Sequence, residues 1–428
     1  MIETHRSFWV VAAIILIAII GYLWTQTKVF VQIFYVGVLL VMSSWFWAVF
    51  STWGVVVKRS SRDLRQELGG VFEERFEIIN QKAIARFWLE IEDESKLPGQ
   101  GGSRVLSRIG KYESRHYSAY TLLKKRGQIV LGPTSLYSGD PFGLFVYRRV
   151  FPAKRSLLVL PYMFNLRWFP FPVGLLPGGK AQRQRTLEVT PYASGVREYC
   201  PGDSLNRIHW PTTARRDRLM VKEFEKDPQA DFWIFVDAYS KINLQVLKED
   251  PDDDYRVDRF WFWDKRKKIT LPADTFEYAV SIAASICRYF IQKDSAVGFG
   301  IAAQQYVVIS PERGERQFNK VLEALAFAQP SGKLPLIGLL QSEVRNIARG
   351  STVILITSAV DSGLVLSVES LLRRSLQPIV IIIDPMSFGG EIGAEVLIPE
   401  MHRRKIPTAI VSNGDELSKA LEEGLVKF

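Results

Sequence analysis

Two long apolar runs, separated only by Thr25-Gln-Thr-Lys28, constrain this sequence more than any other feature. Residues 8–24 carry no charge, and residues 29–50 interrupt their apolar pattern only with Gln32 and a few hydroxyls. Each run is close to the ~20 residues that an α-helix needs to cross the hydrocarbon core of a bilayer. The short connection leaves an antiparallel hairpin as the expected arrangement. Trp24, Trp45, Trp47 and Trp53 sit near the ends of the runs, where amphipathic rings favour the membrane–water interface. A signal peptide is the competing explanation of the first run, but no small-x-small cleavage site follows and a second span comes at once.

The basic flanks predict orientation. His5 and Arg6 precede the first run, and Lys58, Arg59, Arg62 and Arg65 follow the second, whereas the turn holds only Lys28. The positive-inside rule then places both ends of the hairpin, and the soluble part, in the cytoplasm. The same cluster is expected to hold the proximal chain against anionic lipid. The formal charge of +10 is scattered, so it fits a membrane surface or an acidic partner. Two cysteines, Cys200 and Cys287, offer neither a disulfide framework nor metal-ligand spacing.

After the hairpin (residues 1–60), residues 66–165 alternate apolar and charged positions, as in Phe72-Glu-Glu-Arg-Phe-Glu-Ile-Ile79 and Ala85-Arg-Phe-Trp-Leu-Glu-Ile-Glu92. Short alternating runs punctuated by turns predict a β-sandwich-like domain. Residues 166–195 form a linker whose first part interleaves aromatics with Pro170, Pro172 and Pro177, too dense in proline for a regular element. From Ala230 the pattern becomes strand–helix alternation, beginning with the buried-strand run Phe232-Trp-Ile-Phe-Val236, and predicts a doubly wound α/β sheet. Residues 243–268, acidic and then basic, read as a solvated excursion from that domain.

The densest chemistry lies from Arg197 to Glu225. There Arg197-x-Tyr199-x-x-Gly202-Asp203 is followed by Arg207-x-Ile-His209-Trp210, then Ala214-Arg215, then Leu219-x-Val-Lys222-Glu223-Phe224-Glu225. Earlier in the chain stands Asp140-Pro-Phe-Gly-Leu-Phe145, behind Gly132-Pro133. Taken together, the two segments resemble the signature of a prokaryotic family, domain of unknown function fifty-eight. The resemblance implies a membrane-anchored protein with a β-rich module and a von Willebrand A-like domain, residues 196–428 here. It also implies a partner, because such genes often neighbour those of MoxR-type AAA+ ATPases.

The von Willebrand A-like expectation makes Asp237 critical. In that fold the first strand ends in Asp-x-Ser-x-Ser, whose oxygens suit Mg²⁺. Here it ends Asp237-Ala-Tyr239-Ser240-Lys241, with Thr357-Ser358 and Asp361 at the second loop. A tyrosine and a lysine replace the hydroxyls, so the metal site is expected to be degenerate and no cofactor is expected. Gly174-Leu-Leu-Pro-Gly-Gly-Lys180 lacks the hydroxyl of a phosphate loop, and Gly298-Phe-Gly300 lies within a strand, so neither reads as a nucleotide site.

Three function classes can be drawn. A hydrolase would use His209 with Asp203, Ser204, Thr212 or Thr213, but no Gly-x-Ser-x-Gly elbow occurs. A nucleic-acid module would use Arg207, Arg215, Arg216, Arg218 and Lys222 with Tyr199 and Trp210, but acids interleave with these cations. The expectation is the third: a non-catalytic, membrane-anchored cytoplasmic adaptor that recognises a MoxR-type AAA+ ATPase around Asp237, Tyr239, Ser240 and Asp361.

Overall fold

The structure, a computed structural model, describes residues 2–97, 101–152, 155–170, 193–200, 205, 208–224, 231–245 and 271–426. The chain divides into two compact units, one built on residues 1–162 and the other on residues 163–247 and 273–428, less 325–327.

The first unit opens with strand β1 (Ile2–Thr4) and the helices α1 (Arg6–Thr25) and α2 (Lys28–Ser51). Gln26, in left-handed backbone, closes α1 and starts the turn. The helices run antiparallel, with Gly21 against Phe30 and Gly37 against Ile15. Both are long and apolar enough to span a membrane. A core helix of the same composition would be buried, yet only 6% and 17% of their most apolar windows are. Most of their apolar side chains are exposed.

Ten further strands follow: β2 (Val55–Ser61), β3 (Arg65–Glu67), β4 (Val71–Asn80), β5 (Arg86–Asp93), β6 (Arg104–Ile109), β7 (Ser114–Leu122), β8 (Gly127–Leu131), β9 (Thr134–Gly139), β10 (Phe145–Phe151) and β11 (Arg155–Leu160). They pair as β1-β10-β9-β5-β6, β2-β4-β7 and β3-β11-β8. The alternation in β4 places Phe76 and Ile78 inward, where they meet Val55 and Val57 of β2, Leu89 and Ile91 of β5, Ile109 of β6 and Leu136 of β9. Side chains of the five-stranded sheet and of β2-β4-β7 thus share one core. Strands β1 and β2 flank the hairpin and belong to this same strand system, so the hairpin leaves it and returns to it.

Buried in this unit is a guanidinium. Arg59 donates from Nε and Nη2 to both oxygens of Glu74 (2.6 and 2.7 Å) and from Nη1 and Nη2 to both of Asp93 (2.7 and 3.0 Å). Asp93 also takes the amide and hydroxyl of Ser95. The guanidinium lies over the ring of Phe76, which stacks on Tyr117. This corrects the expected lipid-facing basic cluster. Arg59 points into the unit, and Arg62 follows a strand that has already travelled about 20 Å from the hairpin. Removing the arginine strands two buried carboxylates. Arg59→Leu should destabilise the unit by about 3–5 kcal/mol, read as a lower unfolding midpoint in detergent. Arg218→Leu, which removes an exposed partner of Glu198, should change it little.

The second unit contains β12 (Ala193–Glu198), α3 (Trp210–Arg216) and β13 (Met220–Phe224), then an α/β sheet. The sheet is formed by β14 (Phe232–Val236), β15 (Val297–Ala302), β16 (Tyr306–Glu312), β17 (Thr352–Thr357), β18 (Gln377–Ile383) and β19 (Thr408–Val411), in the order β16-β15-β14-β17-β18-β19. All neighbours are parallel except β16, which runs antiparallel at the edge, so the sheet is mixed. The helices are α4 (Thr275–Gln292), α5 (Glu315–Phe327), α6 (Leu336–Glu343), α7 (Ser362–Arg373), α8 (Ile398–Arg403) and α9 (Leu417–Val426). Trp233 and Phe235 share one core with α6 and α7, while Phe232 stacks on Phe290 of α4 at 3.8 Å on the other face. Burial on both faces explains the unbroken apolar runs of β14, β17 and β18.

Gly298 and Gly300, which imitate a nucleotide fingerprint, sit on β15 opposite Trp233 and Phe235. A Cβ at either position would come within 2.8 and 2.4 Å of those rings. The glycines make room for two parallel aromatic side chains. Of the Pro/aromatic stretch, Phe164 and Phe169 pack on α4, with Phe164 N–H donating to Ser285 and Phe169 set against Tyr289 and Phe290. Residues 171–192, with the glycine-rich run to Lys180, and most of the 243–268 excursion lie outside the described residues.

Candidate functional site

The signature segment forms a small antiparallel pair. β12 and β13 align Arg197 with Val221, Glu198 with Met220 and Val196 with Lys222. Ile208, Met220 and Val221 are buried and hold the segment together. Gly202, Asp203 and Arg207 lie outside the described residues. Arg197 donates to the Glu198 carbonyl at 3.0 Å, and Tyr199 N–H donates to Leu219. Gly195 pairs with Glu223, next to a bulge, and Phe224 pairs with Ala193 at the end of the ladder.

His209 precedes the first turn of α3, where its carbonyl accepts from the Thr212 and Thr213 amides and its own amide donates to Met220. Its Nδ1 lies 2.7 Å from the Thr212 hydroxyl. Thr213 Oγ1 in turn accepts from Met220 N–H. The histidine and both threonines therefore close the turn and pin it to β13. Trp210 is 65% exposed, and Ala214, Arg215, Arg216 and Arg218 are exposed with it.

The second candidate lies at the carboxyl ends of the central strands. β14 delivers Asp237 into the sheet interior, where it is buried. Its Oδ1 accepts from Tyr239 N–H at 3.1 Å and its Oδ2 from the Thr357 hydroxyl at 2.8 Å, at the end of the neighbouring strand β17. The Leu336 amide also contributes. Asn243 bonds the carbonyl of Tyr239, and Ser358 bonds that of Ile242, so the loop after β14 is tied down from both sides. Ser240 and Asp361 are exposed on the rim, Tyr239 is half-buried, and Asp361 caps α7 through Leu364 N–H.

Would these residues suit Mg²⁺? Both Asp237 oxygens already accept protein hydrogen bonds, and Tyr239 and Lys241 stand where hydroxyl ligands are needed. Among the described residues no group of three or more His, Cys, Asp or Glu side chains is placed to hold a metal.

Neighbouring β18 ends in Asp384, missed in the sequence, whose carboxylate accepts from the amides of Met386, Ser387 and Ala394. The loop so pinned exposes Met386, Ile392 and Val396 at 64, 54 and 66%. The signal was available: an Asp-Pro step directly after a buried strand run, followed by Gly389-Gly390.

Burial pushes the Asp237 carboxyl up to about 6, against the pull of the Thr357 and Tyr239 bonds and with a smaller push from the Asp361 charge. The folded state thus holds a proton more tightly than the unfolded chain between about pH 4 and pH 6. Stability from this group grows as pH falls through about 6 and levels off below about 4. Compared with Asp237→Asn, the wild-type chain should gain about 2–3 kcal/mol between pH 7.5 and pH 4, measured by denaturant titration of both proteins at each pH.

Comparison with known proteins agrees with the signature. The Uncharacterized protein YeaD of Bacillus subtilis (strain 168) is 24% identical over 217 residues, which are 49% of this chain and 45% of that protein. The match therefore spans less than half the length of that relative. Among solved structures, the CARDB domain of PF1109 from Pyrococcus furiosus is 8% identical, covering 25% of this chain and 94% of its own, with a TM-score of 0.18. A beta-glucosidase from Listeria innocua is 12% identical over 24% of this chain and 16% of its own, with a TM-score of 0.16. At such scores neither carries an argument about fold or activity. Residues 195–249, from β12 through the loop after β14, match the family described as Protein of unknown function DUF58, and it is this family's segment that the chain carries.

Proposed function

We propose that this chain is a membrane-anchored, non-catalytic interaction protein that presents its α/β unit to a protein partner on the cytoplasmic side. The unit is read as von Willebrand A-like, a reading supported by the strand order β16-β15-β14-β17-β18-β19 with a single antiparallel edge strand. The strand-rich unit is read as a sandwich, supported by the core shared between its sheets. The partner is a MoxR-type AAA+ ATPase, which would supply any ATP hydrolysis.

One observation carries the reading. The carboxyl end of the sheet joins a buried carboxylate committed to internal bonds with an exposed rim of Ser240, Asp361, Met386, Ile392 and Val396. Ligands of open α/β sheets bind at that end, and exposed apolar side chains rimmed by polar ones mark protein contacts. A second reading, nucleic-acid binding, has the exposed Trp210 beside Arg215, Arg216 and Arg218 in its favour. A salt-sensitive shift of single-stranded DNA by the solubilised chain would favour that class.

Two measurements test the proposal. The full chain in detergent should capture a MoxR-type ATPase from the same cells, and Met386→Asp should weaken capture by roughly 30-fold or more, as for a contact worth about 2 kcal/mol. Capture that is absent, or indifferent to Met386→Asp, overturns this surface. For topology, an impermeant maleimide applied to intact cells should label Thr27→Cys in the hairpin turn and spare Asp63→Cys. The reverse pattern would place the soluble units outside.

A further inference from the structure

The strand registers bring one end of the first unit to the hairpin. Val55, which starts β2, pairs with Asn80 at the end of β4. Arg86 at the start of β5 pairs with Ile109 at the end of β6, and Gly139 at the end of β9 pairs with Val146 near the start of β10. The connections 52–54, 81–85, 110–113 and 140–144 therefore share the end where α1 and α2 enter.

Each connection exposes one large apolar side chain: Trp53, Ile84, Tyr112 and Phe142. Phe87 and Trp88 at the start of β5 add two more, and the six range from 40% exposed at Trp88 to 70% at Tyr112. Neither Trp88 nor Tyr112 sits in relaxed backbone. Their φ values are 49° and 53°, in the left-handed region that bulky residues avoid. At Trp88 this breaks the strand's in–out alternation, so two consecutive aromatics face out.

The connections carry two cations, Lys82 and Lys111, and two acids, with Arg108 beside them near the end of β6. Lys82 reaches over the Trp53 ring at 4.1 Å, and Arg108 and Lys111 are exposed. The two acids are occupied: Glu113 accepts from Gly110 N–H and Arg115, and Asp140 takes the amides of Phe142, Leu144 and Phe145 at 2.9, 2.8 and 2.7 Å. The 140–144 turn also lies alongside the spans. Leu144 and Phe145 are buried with Ala48 against Phe8, Val11, Leu40 and Val41, and the rings of Phe8 and Phe145 are 5.4 Å apart. Val11 is about 8 Å along α1 from its first residue, so the turn reaches past the mouth of the hairpin.

We propose that this end of the strand-rich unit is itself a bilayer contact: Trp53, Ile84, Trp88, Tyr112 and Phe142 enter the headgroup region around the hairpin, and Lys82, Arg108 and Lys111 meet anionic lipid phosphates. The proposal rests on the hairpin spanning the membrane. Aromatic rings with a polar edge favour the interface, and cations near it are drawn to anionic headgroups. Asp140 gathers three amides so that the loop can carry Phe142 outward without leaving backbone donors unmet in a poorly hydrated zone.

The test uses the full chain with Cys200→Ser, reconstituted in phosphatidylcholine–phosphatidylglycerol nanodiscs. Single reporters at Ile84→Cys, Phe142→Cys, Asp63→Cys and Leu16→Cys carry an environment-sensitive nitrobenzoxadiazole label; Cys287 is buried and stays unlabelled. Lipids spin-labelled near the headgroup should quench positions 84 and 142 several-fold more than position 63, at the far end of β2. Equal quenching at 63, 84 and 142 overturns the proposal. Lipids spin-labelled near the chain end should quench position 16. If position 16 is quenched while 84 and 142 match 63, only this contact falls; if position 16 is not quenched, the spanning hairpin falls and the contact with it.

Discussion

The apolar surface of two helices is the constraint around which the first unit is arranged. Most of their Ile, Leu, Val, Phe and Trp side chains are exposed, a surface that water accommodates poorly. Within hydrocarbon the backbone must satisfy its own polar groups, which helices do internally. Where the chain leaves the helices, strands take over that task at once: β1 ends at Thr4, one residue before α1, and β2 begins at Val55, four residues after α2. Both strands belong to the first unit, so the two helices leave it and return to it.

The second unit answers a different constraint. Its central strands are buried on both faces, so every side chain on them must find room. Gly298 and Gly300 give up their side chains so that Trp233 and Phe235 can lie across β15. Polar groups on these strands are confined to their ends, where Asp237, Thr357 and Asp384 fasten the loops that follow. A buried carboxylate is tolerated at Asp237 because hydrogen bonds meet it from two loops, and because it takes up a proton more readily than an exposed one. The rim is thereby fixed on a rigid frame while its own side chains remain free for contact.

Much of this was legible in residue order. Long uncharged runs gave the two N-terminal helices, and the apolar run 232–236 coincides with β14. β16 was missed because its edge position tolerates Pro311 and exposed side chains, which blur the pattern. β6 was missed for the same reason: it is a mostly exposed edge strand without clean alternation. The direction of Arg59 was beyond reach, since a basic residue after a span reads as lipid-facing unless its buried acids, Glu74 and Asp93, are known to converge from two other strands. In the candidate site, Asp237 was singled out by the von Willebrand A-like expectation that the family resemblance implies. Its hydrogen bond to Thr357, 120 positions away, came only from the pairing of β14 with β17.

Strand β1 has a bearing on how the molecule is assembled. It pairs through Ile2 with Tyr147 of β10, across both helices and most of the intervening strands. The edge closes only when β1 and β10 lie at the same end of the helix pair. With β1 unseated, β10 would present an open edge, and an unpaired edge invites aggregation.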